Sequence, residues 1–120
     1  MLYSISLEHI NHNKSLINAG LNFIEFAEKS WKLSDTCYDN HYPCIIHGVG
    51  LCDEWPLVAY PNRDFSNADY SANFEENMTI CVESYIGEVG GKEGIKLEDQ
   101  FVVTKDGLEQ LSSFPYEIDI

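Results

Sequence analysis

The segment Gly87-Glu88-Val89-Gly90-Gly91-Lys92-Glu93-Gly94 separates two runs, residues 78–86 and 95–104, that are rich in β-branched and aromatic side chains. Strand-forming residues on both sides of a glycine-rich tip predict an antiparallel hairpin. Taking Gly90 and Gly91 as the central turn residues sets Glu83 directly opposite Glu98. Opposed like charges destabilise an antiparallel pair, and on the same face the neighbours Cys81 and Tyr85 offer no cationic compensation. Three arrangements relieve the repulsion: open solvent on both side chains, a proton held by one of them, or a metal ion between them, since hard carboxylate oxygens suit divalent cations. Strand glutamates ordinarily face water, and a single bulge would move the pair apart.

The rest of the chain gives this hairpin something to pack against. Within residues 6–18, Leu7, Ile10 and Ile17 share a helical face, and Gly20 stands where a C-cap is expected. A second helix starts from Asn22 as N-cap with Glu25 three residues later, and its buried stripe is Phe23, Phe26, Ala27 and Trp31. From Leu33 onward, Ser34-Asp35, Asp39-Asn40 and Tyr42-Pro43 favour turns, and Cys44-Ile45-Ile46 suits a short buried strand. Residues 60–77 read as a loop, and Asp106-Gly107 as a turn ahead of Leu108 and Leu111. No repeat or linker divides the sequence, so residues 1–120 are expected to form one α+β domain or part of one: two N-terminal helices, then an antiparallel sheet with a glycine-rich hairpin.

Charge narrows the partners. Twenty acidic against seven basic side chains leave a net charge of −13, which repels phosphates and argues against nucleic acid or an anionic membrane. Cations and metal ions remain suitable ligands. No run is apolar enough to span a bilayer and the first residues lack a secretion signal, so a cytoplasmic location is expected, with the four cysteines reduced.

A second feature lies in His47-Gly48-Val49-Gly50-Leu51. Glycines just after a histidine let the backbone turn and approach a ligand, while the strand before them aims the imidazole. Asp53, six residues after His47, precedes Glu54-Trp55-Pro56; a carboxylate near apolar walls can serve in proton transfer, although an ordinary turn aspartate fits the same pattern. Cys37, His41, Cys44, His47 and Cys52 are zinc-compatible types in a short stretch, but they lack a Cys-x-x-Cys knuckle. His9 and His12 share a helix face with no third ligand near and are expected in solvent.

Taken in order, the His47–Leu51 stretch, Asn77-Met78-Thr79-Ile80-Cys81-Val82-Glu83, the glycines Gly91 and Gly94, and Ile95-Lys96-Leu97-Glu98-Asp99 resemble the successive motifs of the pita-bread metallopeptidase family, which includes aminopeptidase P, prolidase and creatinase. The resemblance implies metal-ligand roles for His47, Glu83 and Glu98, with Glu98 bridging two divalent ions (Mn, Fe, Co or Zn) that activate water against a carbonyl. It also implies two aspartate ligands from an earlier strand pair; Asp35, Asp39 and Asp64 do not stand in that context, so the chain resembles the C-terminal half of a catalytic domain and carries three of five ligands.

The resemblance further implies an Xaa-Pro aminopeptidase or dipeptidase-like hydrolase acting on a small molecule or dipeptide. Many of its peptidases have a histidine shortly after the His-Gly-x-Gly segment, where this chain has Asp53 as the candidate catalytic residue. An anionic acceptor suits base chemistry or a cationic substrate instead. That pattern is similar to a branch of the fold that cleaves dimethylsulfoniopropionate to dimethyl sulfide and acrylate. A half-domain would also expose apolar surface made to meet the other half, so self-association into a homo-oligomer and weak metal affinity are expected, and a non-catalytic half-domain is the third reading.

Overall fold

A computed structural model describes residues 1–51, 53–61 and 71–116, without the side chains of Asp53 and Glu54. Three helices, α1 (Leu2–Leu16), α2 (Phe23–Lys29) and α3 (Asp35–Tyr38), precede five strands: β1 (Ile46–Val49), β2 (Asp53–Val58), β3 (Thr79–Ile86), β4 (Ile95–Thr104) and β5 (Gly107–Gln110). The strands form one antiparallel sheet in the order β2-β1-β3-β4-β5. Helix α1 lies across β3 and β4.

Side-chain alternation along β3 gives the sheet two different faces. Ile80, Val82, Ser84 and Ile86 point toward α1, and Phe101 and Val103 of β4 join them in a core with Ile10, Ile17, Phe23, Phe26 and Phe74. Cys81, Glu83 and Tyr85 point the other way. The second helix begins as its sequence predicts, with the Asn22 side chain accepting from the backbone N–H groups of Ile24 and Glu25. Gly20 adopts φ +95°, a left-handed conformation that spares a side chain the usual strain. At the hairpin, a Cβ on Gly94 would stand 2.3 Å from the Tyr85 hydroxyl, so the tyrosine can fold over the tip only because glycine is there.

Several expectations need correction. The first helix runs from Leu2 rather than Ser6, and its buried stripe is Ser6, His9, Ile10 and Asn13. His9 is fully buried, not solvated. The reason is Ser84 beneath it: the Ser84 hydroxyl lies 2.7 Å from His9 Nδ1 and 2.8 Å from the Ser6 hydroxyl, so the sheet supplies polar partners to a polar helix face. Asp35, read as part of a turn, starts α3, and the strand after Cys44 begins at Ile46. Residues 53–58 form a strand that the Trp55-Pro56 pair obscured; it lies at the sheet edge, where proline is tolerated. Half of the loop expected over residues 60–77, residues 62–70, lies outside the described residues.

Candidate metal centre

The β3–β4 register pairs Glu83 with Glu98, as the hairpin argument requires. The ladder closes at Ile86–Ile95, and the tight turn, with the Gly91 N–H bonded to the Glu88 carbonyl, is centred one residue earlier than the assumed Gly90-Gly91 pair. On the other side of β3, strand β1 pairs His47 with Cys81. His47, Cys81, Glu83 and Glu98 therefore share the face opposite α1. Here the pleat of three strands, rather than any local motif, brings together residues far apart in sequence.

The distances show how close this convergence is. His47 Nε2 lies 2.9 Å from Glu83 Oε1 and 3.3 Å from Glu98 Oε1. The His47 imidazole, Cys81 thiol and Glu98 carboxylate present one donor atom each, all within 4.8 Å of one another. Glu83 is 1% exposed, and its Oε1 also lies 3.7 Å from the Cys44 thiol. Lys96, which pairs with Tyr85 on the same face, bridges the carboxylates: its ammonium is 2.8 Å from Glu83 Oε2 and 3.1 Å from Glu98 Oε2. Glu83 Oε2 has no aligned hydrogen-bond donor among the described residues, so its contact with Lys96 is one of charge rather than of a well-directed hydrogen bond.

Environment separates the two acids. Burial pushes the Glu83 carboxyl up, with Glu98 adding to that effect and Lys96 and His47 opposing it. Burial also raises Glu98, but hydrogen bonds from Cys81 and Lys96 outweigh it and hold that carboxyl below its ordinary value. The more buried acid is thus the better proton holder, and the more open one is the firmer anion. An imidazole, a thiol and two carboxylates, one with a buried oxygen lacking a directed donor, form a donor set that fits a divalent cation.

Sequence reasoning named His47, Glu83 and Glu98, which the fold brings together, but did not single out Cys81 and Lys96, which stand on the same face. Both were within reach of the same register: Cys81 is two residues before Glu83, and Lys96 faces Tyr85. The statement that the acidic pair lacks a cationic neighbour considered only one strand and is corrected by Lys96. Asp53 pairs with Val49 at the start of β2, while its side chain lies outside the described residues. Asp64 and Cys52 also lie outside them. Among the described residues, Cys37, His41 and Cys44 do not join His47 in a metal-binding cluster, so the zinc grouping is not supported there. No helix among the described residues is long and apolar enough to cross a membrane.

The profile of metallopeptidase family M24 matches residues 1–105. Over 110 residues the chain is 44% identical to dimethylsulfoniopropionate lyase DddP of Roseovarius nubinhibens, covering 92% of this chain and 24% of that protein. Among solved structures, an Xaa-Pro dipeptidase from Bacillus anthracis superposes with a TM-score of 0.73 at 26% identity, covering 97% of this chain and 31% of its own. Prolidase from Pyrococcus furiosus gives a TM-score of 0.73 at 22% identity, covering 96% and 32%, a likeness of fold alone. The chain spans about a quarter of the length of the curated relatives it matches. The expectation of a partial pita-bread domain of α+β class is borne out.

Proposed function

The chain belongs to metallopeptidase family M24, and from that premise we propose that it supplies His47, Glu83 and Glu98 to a divalent-metal site in a dimethylsulfoniopropionate lyase-type enzyme, with Asp53 as the base. The observation that carries this choice is its identity to a lyase, well above its identity to the peptidase structures. Two further features support it: an aspartate stands where many peptidases of the fold place a histidine, and the strongly acidic chain favours a cationic sulfonium substrate.

A bound divalent ion would supply Lewis-acid polarisation of the substrate carboxylate. His47, Glu83 and Glu98 would hold it, and Cys81 would hydrogen-bond Glu98 to fix its orientation. Asp53 would take the proton from the carbon next to the substrate carboxylate. The electron pair left behind forms the carbon–carbon double bond as the carbon–sulfur bond breaks, so dimethyl sulfide and acrylate leave and the proton remains on Asp53.

The Xaa-Pro peptidase reading is supported by the fold neighbours, and a single assay separates the two. Full-length protein releasing dimethyl sulfide from dimethylsulfoniopropionate, and no proline from proline-containing dipeptides, is the expected result. Proline release without dimethyl sulfide would replace this reading with the peptidase one.

A further inference from the structure

Glu83, 1% exposed, and Glu98 face each other across a β-ladder, an arrangement that repels unless a proton or a cation intervenes. In this structure a side chain of the protein intervenes. The Lys96 ammonium bridges the two carboxylates, 2.8 Å from one and 3.1 Å from the other, and lies 4.2 Å from the centre of the Tyr42 ring. Its position on β4, two residues before Glu98, keeps it on the same face of the sheet in every state that preserves the register.

We propose that Lys96 is a built-in counter-ion that competes with the metal for the Glu83 and Glu98 carboxylates, holding the site together before the ion arrives and yielding those oxygens when it binds. The proposal rests on the metal-site reading above and adds an antagonism to it. An ammonium and a divalent cation cannot occupy the same small space between two oxygens without strong repulsion. Metal entry therefore drives Lys96 off the carboxylates and out toward solvent, where its charge is still satisfied. Coupling between ligands at two distinct sites is typically worth 5- to 150-fold in affinity, and on that scale removal of the ammonium is expected to tighten metal binding about tenfold.

The opposed signs distinguish this role from a purely structural one. Lys96→Met is expected to lower the melting temperature of the metal-free 120-residue chain, raise its Mn²⁺ affinity about tenfold by calorimetry and enlarge the metal-induced rise in melting temperature; Lys96→Arg should stay near the wild type. As a measurement on the unaltered chain, independent of whether the variants fold, amine acylation read by mass spectrometry should label Lys96 faster after Mn²⁺ is added, with the other lysines unchanged. Equal Mn²⁺ affinity in wild type and Lys96→Met, or a Lys96 labelling rate indifferent to the ion, would overturn the antagonism while leaving the metal site in place. Failure of every variant and the wild type to bind Mn²⁺ would overturn the metal-site reading and this proposal with it.

Discussion

The burial of His9 makes acid stability a quantitative test of how α1 is docked. Its ring lies between Trp31 and Tyr60, with centroids 5.1 and 5.9 Å away, and its Nδ1 is 2.7 Å from the Ser84 hydroxyl. Burial, helped by the nearby His12, pushes the imidazole from 6.5 down to about 4. In the unfolded chain the ring takes up its proton as pH falls through 6.5; in the fold it resists until about 4. The unfolded state therefore binds more protons across that interval, and stability is full above it and declines as the solution is acidified. By linkage the loss from pH 8 to pH 4.5 is about 2.5 kcal/mol, a large part of what a small domain has. Urea unfolding at a series of pH values, compared between wild type and His9→Gln, isolates this contribution because the other groups cancel in the difference. The amide retains a partner for Ser84 but does not titrate, so its curve should be flatter by about 2.5 kcal/mol over that range. Parallel curves for the two proteins would refute the buried, neutral imidazole.

Other outcomes follow from different parts of the fold. Asn22→Ala removes the side-chain cap of α2 and should cost about 1 kcal/mol in urea unfolding. Asp99, 4% exposed, accepts hydrogen bonds from Gln110, Ser112 and Tyr116 and so ties residues 110–116 to β4; Tyr116→Phe should cost about 1–2 kcal/mol and speed proteolytic cleavage near the exposed Phe114. His47→Ala should abolish any metal-induced rise in melting temperature while changing the metal-free value much less. The 120-residue chain should self-associate, as read by sedimentation, and bind metal weakly; a monomer holding two tightly bound ions would contradict the half-domain view.

What could be read beforehand depended on how local the physics was. Strand β4 was foreseen at both ends because alternation and the flanking glycines act over a few residues, and the Glu83–Glu98 pairing followed from hairpin symmetry. The Asn22 cap announced itself through its own backbone. Strand β2 was hidden because proline argues against a strand unless the segment is known to be an edge, and edge position is a property of the whole sheet. His9 was misplaced for a similar reason: its partner Ser84 is 75 residues away, and nothing near it in sequence signals that a hydroxyl waits beneath the helix. Lys96 was different in kind, since the register that paired the glutamates also placed it beside them.

The most direct test of the convergence uses the four histidines as internal reporters. Mn²⁺ added in small steps to the protein with ¹⁵N-labelled imidazoles should broaden the His47 ring signals first, leaving those of His9, His12 and His41 sharp. Broadening that begins at His12 or His41, or that leaves His47 untouched, would contradict a cation site built from His47 and the paired carboxylates.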